Sequence, residues 1–212
     1  MLYPFLYAGG SGLDTLLEDV RRSTREKVEE IVRLREAVLE LYGEDLAACA
    51  ARMADAFRSG GRLFTFGNGG SSTDAQDVAA LFLNPGGSAR PLPALALTTD
   101  VAVVTALSND VGFEVVFARQ LAAFGRPGDI ALALSTSGNS DNLIAALREA
   151  ARRGMTVVGL AGYTGGQMAE TSGLHHLFTV PSSSVHRIQE AQTTIYHALW
   201  ELTQRELAGE DF

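Results

Sequence analysis

The chain has 212 residues, 46% hydrophobic and 20% charged, enough to bury a sizeable core and without the composition of a disordered chain. Its formal net charge of −8 works against binding a nucleic-acid backbone, itself a polyanion, yet leaves room for a small phosphate held by backbone amides. A single cysteine, Cys49, excludes an intrachain disulfide or a thiolate zinc cluster and points to a reducing cytoplasm, and no apolar run approaches the ~18 residues of a membrane span.

The opening MLYPFLYAGGSG has no basic n-region and only a short apolar run, so it reads as an ordered arm or packing segment and not as a signal peptide. From Leu13 to Leu41 the sequence reads as one long charged helix. Its apolar stripe runs through Leu13, Leu16, Leu17 and Val20, then Val28, Ile31, Val32, Leu34, Val38 and Leu39. Gly43 is expected to end it, with a second helix from about Glu44 to Arg58 stopping at Ser59-Gly60-Gly61. Such a stripe needs a cover, so helix pairing or oligomerisation is expected. The rhythm then changes. Short apolar runs at 62–67, 92–98, 129–135, 156–162 and 175–180 alternate with helical stretches at 72–83, 101–107, 113–124, 139–153 and 166–171. Strands that are apolar throughout and alternate with helices predict a parallel sheet covered on both faces, a doubly wound five-stranded α/β domain. A last helix is expected from about Val185 to Leu207. The whole reads as one domain over 1–212: a helical extension to about residue 60, an α/β core over about 61–184, and a terminal helix over about 185–208.

Ligands of open α/β sheets bind beyond the carboxyl ends of the strands. Two loops there stand out, Gly67-Asn68-Gly69-Gly70-Ser71-Ser72 and Ser135-Thr136-Ser137-Gly138-Asn139-Ser140. Each leaves a strand, carries glycines and hydroxyls, and opens a helix, whose unpaired amides attract phosphate oxygens. Such residues also cap helices and make turns everywhere, so one loop alone reads as a cap; two at one sheet edge read as a phosphate site. Neither loop is the G-x-x-x-x-G-K-[ST] pattern, and the first lacks the third glycine of G-x-G-x-x-G.

GNGGSSTDAQ together with LSTSGNSDNLIAAL resembles the sugar isomerase (SIS) domain family, and within it the phosphoheptose isomerase branch, which includes a non-enzymatic replication-initiator-associating relative. The likeness runs on through LTTDVAVVTALSNDVGFEVVFARQL, FGRPGDIAL and RIQEAQTTIYH, from about residue 40 onward. The resemblance implies a flavodoxin-like fold and a homotetramer whose long terminal helices form a central bundle, with sites at subunit interfaces. It implies that Asn68, Gly69, Ser71, Ser135, Thr136, Ser137 and Ser140 hold a small phosphorylated sugar, with Asp110 and Gln189 at the substrate. It assigns His197 the catalytic acid/base position. Gln189, Thr193 and His197 follow one another at i, i+4 and i+8, along one helical stripe. No direct nucleic-acid partner and no membrane are expected.

The departures fall on the chemistry. Aldose–ketose isomerisation in this family moves a proton between adjacent carbons through an enediol, which needs a base and a group to stabilise the oxyanion. Enzymatic members resemble AQHFAAEF, where the histidine is a metal ligand and the glutamate is base and ligand; this chain reads AQDVAALF, with Asp77 and Leu81 at those positions. Leucine can neither take a proton nor bind zinc. Asp77, Gln189 and His197 remain as metal donors and make a poorer zinc site, so no bound metal is the expectation. Near Asn84-Pro85 an arginine of the enzymatic members is missing, and His186 stands where an aspartate usually precedes RIQE. A loop histidine is expected to be solvated; Asp77, Glu190, His186 and His197 are the groups that could act as a relocated base. Three readings follow. They are a phosphosugar-binding or regulatory protein, an active isomerase with a relocated base, and a tetrameric interaction scaffold.

Overall fold

The structure, a computed structural model, describes residues 13–87 and 89–209. The opening arm expected for MLYPFLYAGGSG lies outside the described residues. In chain order the elements are α1 (Leu13–Arg58), β1 (Leu63–Gly67), α2 (Gly70–Leu83), β2 (Ala94–Ala96) and α3 (Val101–Asp110). A short 3-10 turn (Phe113–Val115) leads into α4 (Val116–Phe124), followed by β3 (Ile130–Leu134), α5 (Asp141–Arg152) and β4 (Thr156–Gly162). The chain closes with α6 (Gly166–Glu170), β5 (His176–Val180) and α7 (Val185–Ala208).

The five strands form one sheet in the order β2-β1-β3-β4-β5, every pair parallel. Leu63 lies opposite Ala94 on one side and Ile130 on the other, so β1 is an interior strand, and all of its residues are buried. Alternation along the strands divides the core in two. Leu63, Ile130, Leu132, Leu134, Val158, Leu160, Phe178 and Val180 face α1, α2 and α7, where Met53, Phe57, Phe82, Ile188 and Ile195 meet them. Phe64, Phe66, Ala131, Ala133, Val157 and Ala161 face the other way, onto Phe117, Leu121, Leu143, Leu147 and Met168. Phe57 stacks on Phe82 with ring centroids 5.8 Å apart, so truncating either to alanine would cost about 3–5 kcal/mol. The doubly wound arrangement expected from the alternating runs is the one observed.

The helix break expected at Gly43 is absent: α1 runs unbroken for 46 residues. One interior glycine costs a helix only about 1 kcal/mol, and packing overrides it here. Val38, Leu46, Cys49, Met53 and Phe57 are all buried on one stripe that passes Gly43 without a change of phase. Tyr42, one residue earlier, accepts a hydrogen bond from the Thr179 N–H of β5 at 3.2 Å. Burial also pushes the Cys49 thiol far above its ordinary range, which leaves it inert. The first half of α1 differs. Val20 and Val28 are more than half exposed, and Leu16, Leu17 and Val32 also face solvent in the single chain. In α3, capped by the Asp100 carboxylate through the Val103 N–H at 3.0 Å, no residue is buried.

Candidate functional site

The strand order reverses at β1, whose neighbours β2 and β3 lie on opposite sides of it, and the crevice beyond such a point is where open α/β sheets take ligands. Both hydroxyl-rich loops end up there. Asn68 and Gly69 lead from β1 into α2, with Ser71 buried in its first turn; Ser135, Thr136 and Ser137 lead from β3 toward Ser140, the residue before α5. A reciprocal amide pair ties the two loops. Asn68 Nδ2 donates to Asn142 Oδ1 and Asn142 Nδ2 to Asn68 Oδ1, each at 2.9 Å. Asn142 is missing from the sequence reading, and its one signal is an asparagine on the buried side of a first helical turn.

Inside the β3 loop the backbone curls around its own hydroxyls. The Gly138 N–H donates to Ser135 Oγ at 2.9 Å, and the Asn139 N–H to Ser137 Oγ at 3.2 Å. A hydroxyl that accepts from the backbone keeps its own O–H free to donate, which is what an anion needs. Ser140 occupies the N-cap position of α5 but makes no side-chain capping bond, so its hydroxyl is not spent on the helix. Gly138 sits at φ 68°, and a Cβ there would run into the Gly165 carbonyl. The Gly165 loop supports the cradle from behind: the Met168 N–H donates to the Gly138 carbonyl at 2.9 Å and the Gln167 N–H to Asn139 Oδ1 at 2.9 Å. From α7, buried Gln192 donates to the Ser135 carbonyl at 2.7 Å.

The α2–α7 seam carries the other polar groups. Gln189 Nε2 donates to Asp74 Oδ2 at 3.2 Å, and both side chains line one cleft with Gly70, Thr73, His186, Glu190 and Thr193. Burial holds the Asp74 carboxyl above the ordinary carboxylate range; the Gln189 hydrogen bond opposes that rise and the Asp77 charge adds to it. His186, expected in a solvated loop, lies in the first turn of α7; it is exposed, and it lines this cleft. Glu190 pairs with Arg187. An adjoining cleft is lined by Asp77, Ala80, Leu81, Asn84 and His197. His197 Nδ1 lies 2.9 Å from the Thr193 carbonyl, which can only accept, so Nδ1 carries the proton and a neutral ring offers Nε2 as its basic atom. Leu81 packs partly against the core and lines the same cleft.

Some expected neighbours stay apart. Ser71 and Leu81 are ten residues apart on α2, about 15 Å along its axis, so cradle and Leu81 cleft are separate stations within one chain. Asp110 ends α3, exposed, with its carboxylate accepting from neighbouring Asn109 at 2.7 Å. Of the donors, Asp77 and His197 line one cleft, while the Gln189 amide faces Asp74 and Gly70 in the adjoining one. Among the described residues no three His, Cys, Asp or Glu side chains are grouped to hold a metal ion. With Asp77 and Leu81 in place of the histidine and glutamate of the enzymatic pattern, the remaining donors Asp77, Gln189 and His197 are a poorer fit for the zinc that the resemblance implies.

Residues 28–162 match the SIS domain family. The chain belongs to that family. It is similar to the phosphoheptose isomerase of Aquifex aeolicus (strain VF5), 43% identical over 190 residues that cover 89% of this chain and 96% of the relative. In structure it is similar to a phosphoheptose isomerase from Francisella tularensis, with a TM-score of 0.82, 32% identity, and 88% of this chain and 98% of that one covered. A phosphoheptose isomerase from Neisseria gonorrhoeae gives a TM-score of 0.79 at 35% identity, covering 86% and 97%. The SIS match contains both cradle loops and stops at the end of β4. It leaves outside it α7, the helix that brings Gln189 and His197 to the seam.

Proposed function

We propose that this SIS protein binds a phosphorylated sugar at the crevice beyond β1 and β3 and serves as a binding or regulatory protein, without the proton transfer of isomerisation. The single observation that carries this reading is Leu81 in the cleft with Asp77 and His197, where the enzymatic pattern has a glutamate. The phosphate is held by the amides that open α2 and α5 and by the hydroxyls of Ser71, Ser135, Thr136, Ser137 and Ser140, with Asn68 and Gly69 shaping the approach. Neutral donors suffice for an anion at a helix start, which is why no lysine or arginine is needed there. Asp110 and Gln189 address the sugar. Without a carboxylate at position 81, the base of the enzymatic pattern is missing from that wall, and only Asp77 and His197 are left there as titratable groups.

Self-association as a homotetramer is part of the same reading. The exposed valines and leucines along the first half of α1, and the unburied apolar α3, support it. Burying such faces between copies would contribute about 25 cal/mol per Å² of apolar surface. The lone cysteine supports a cytoplasmic setting; among the described residues no helix is long and apolar enough to cross a membrane.

The test is a thermal shift with a panel of phosphorylated sugars, with and without zinc, beside a turnover assay on sedoheptulose 7-phosphate. A ligand that binds only the folded state raises its melting temperature by mass action. The expected result is a shift with at least one phosphosugar, unchanged by zinc, and no turnover. Conversion at an enzyme-like rate would instead establish the isomerase reading, with its base among Asp77, His186, Glu190 and His197.

A further inference from the structure

Nothing in the phosphosugar reading gives Asp74 a role, yet its surroundings are built with some care. We propose that Asp74 is a positioning residue: it turns the Gln189 side-chain amide so that the carbonyl oxygen, and not the amino group, meets the ligand. This rests on the phosphosugar reading above and assigns which end of the sugar lies at Gln189.

Three observations carry it. Asp74 Oδ2 lies 3.2 Å from Gln189 Nε2, and a carboxylate only accepts, so the amide faces it with its amino end. The same amino end is held on the backbone side by Gly70: a Cβ there would collide with Gln189 Nε2, so only glycine admits the amide in this position. The helix below is also fixed, because Thr193 Oγ1 donates to the Gln189 carbonyl of the backbone at 3.1 Å. With its amino group directed at Asp74 and Gly70, Gln189 has Oε1 to offer. The cleft around it holds the carboxylates of Asp74 and Glu190 and no lysine or arginine. Glu190 is already paired with Arg187, so the charge beside the acceptor is that of Asp74, and an acceptor there takes a donor, a sugar hydroxyl. The ligand is thereby oriented, with its phosphate on the cradle and its hydroxyl end at Gln189.

Calorimetric titration of the full chain tests this, with sedoheptulose 7-phosphate and inorganic phosphate as the two probes. Asp74→Asn replaces an obligate acceptor by a group that also donates, so it no longer dictates the amide orientation. It is expected to weaken the sugar phosphate about tenfold, the worth of one charge-assisted hydrogen bond, and to leave inorganic phosphate unchanged. In a Gln189→Ala background the same substitution is expected to have no further effect. Gly70→Ala displaces the amide without touching Asp74 and is expected to give the same selective loss. Equal losses for both probes, no loss for the sugar, or a loss that persists without Gln189 would overturn the proposal. Wild-type protein that binds neither probe overturns the phosphosugar reading and this inference with it; wild-type that binds both, with Asp74→Asn unchanged, overturns this inference alone.

Discussion

At its first turn α2 meets backbone and hydroxyls; three turns later it meets solvent across Leu81. The cradle end is closed from every side, by the Asn68–Asn142 pair, by Gln192 on the Ser135 carbonyl and by the Gly165 loop behind Gly138. The far end is an open cleft with a leucine, an exposed aspartate and a histidine that share no hydrogen bond. Phosphate recognition by backbone needs only that the backbone be held in one shape, so packing alone can maintain it. Proton transfer needs particular side chains, and two of those in the enzymatic pattern are replaced here, by Asp77 and Leu81, while the fold stays as it is. On the proposed reading, one helix keeps a binding site and loses a reaction.

The contrast can be broken at the cradle end with the largest effect. Gly138→Ala sets a Cβ against the Gly165 carbonyl at a positive φ, and should destabilise the protein by about 3 kcal/mol, or roughly 6–12 °C in melting temperature. Thermal denaturation reads this directly, and an unchanged melting temperature would show that the loop behind is free to move. At the far end, Asp77→His combined with Leu81→Glu supplies two zinc donors beside His197. The double variant should retain about one zinc per chain after dialysis, by elemental analysis, where the parent retains none. Zinc held by the parent protein would overturn the expectation that no metal binds it.

The smallest effect sharpens the comparison by its sign. A carboxyl whose folded-state affinity for protons is raised makes the folded state bind more protons than the unfolded one, so its ionisation lowers stability as pH rises. Asp74→Asn removes that penalty. It should raise the melting temperature at pH 7, and the gain should shrink as the pH falls through the raised titration range of Asp74. Substitution thus weakens the protein at the cradle and strengthens it at the seam, the pattern of a group kept for binding at the expense of stability.

The strands and their parallel order were readable in RLFTFG, DIALALS and TVVGLAG because a strand buried on both faces must be apolar throughout, and a linear pattern records that. Both cradle loops were readable for the same kind of reason: glycine and hydroxyl residues at a strand-to-helix junction are a local signature. Gly43 was misleading, because a local helix breaker says nothing of the sheet and α7 that carry α1 through it. Asp74 had no local mark, and Asn142 only its place on the buried side of a first helical turn. Each matters through a partner 115 or 74 residues away, Gln189 and Asn68 respectively, and chain order does not record that proximity.

By itself, then, the sequence determined the alternation of elements, the composition of the cradle and the loss of a carboxylate at position 81, all properties of residue type and spacing. Only the tertiary structure decided that β1 lies between β2 and β3, that α1 is one helix, and that the Gln189 amide rests on Asp74 and Gly70. The physical reason is that each of these depends on which side chains approach across the sheet or between helices. Hydrogen bonds and steric contacts at that range are set by packing.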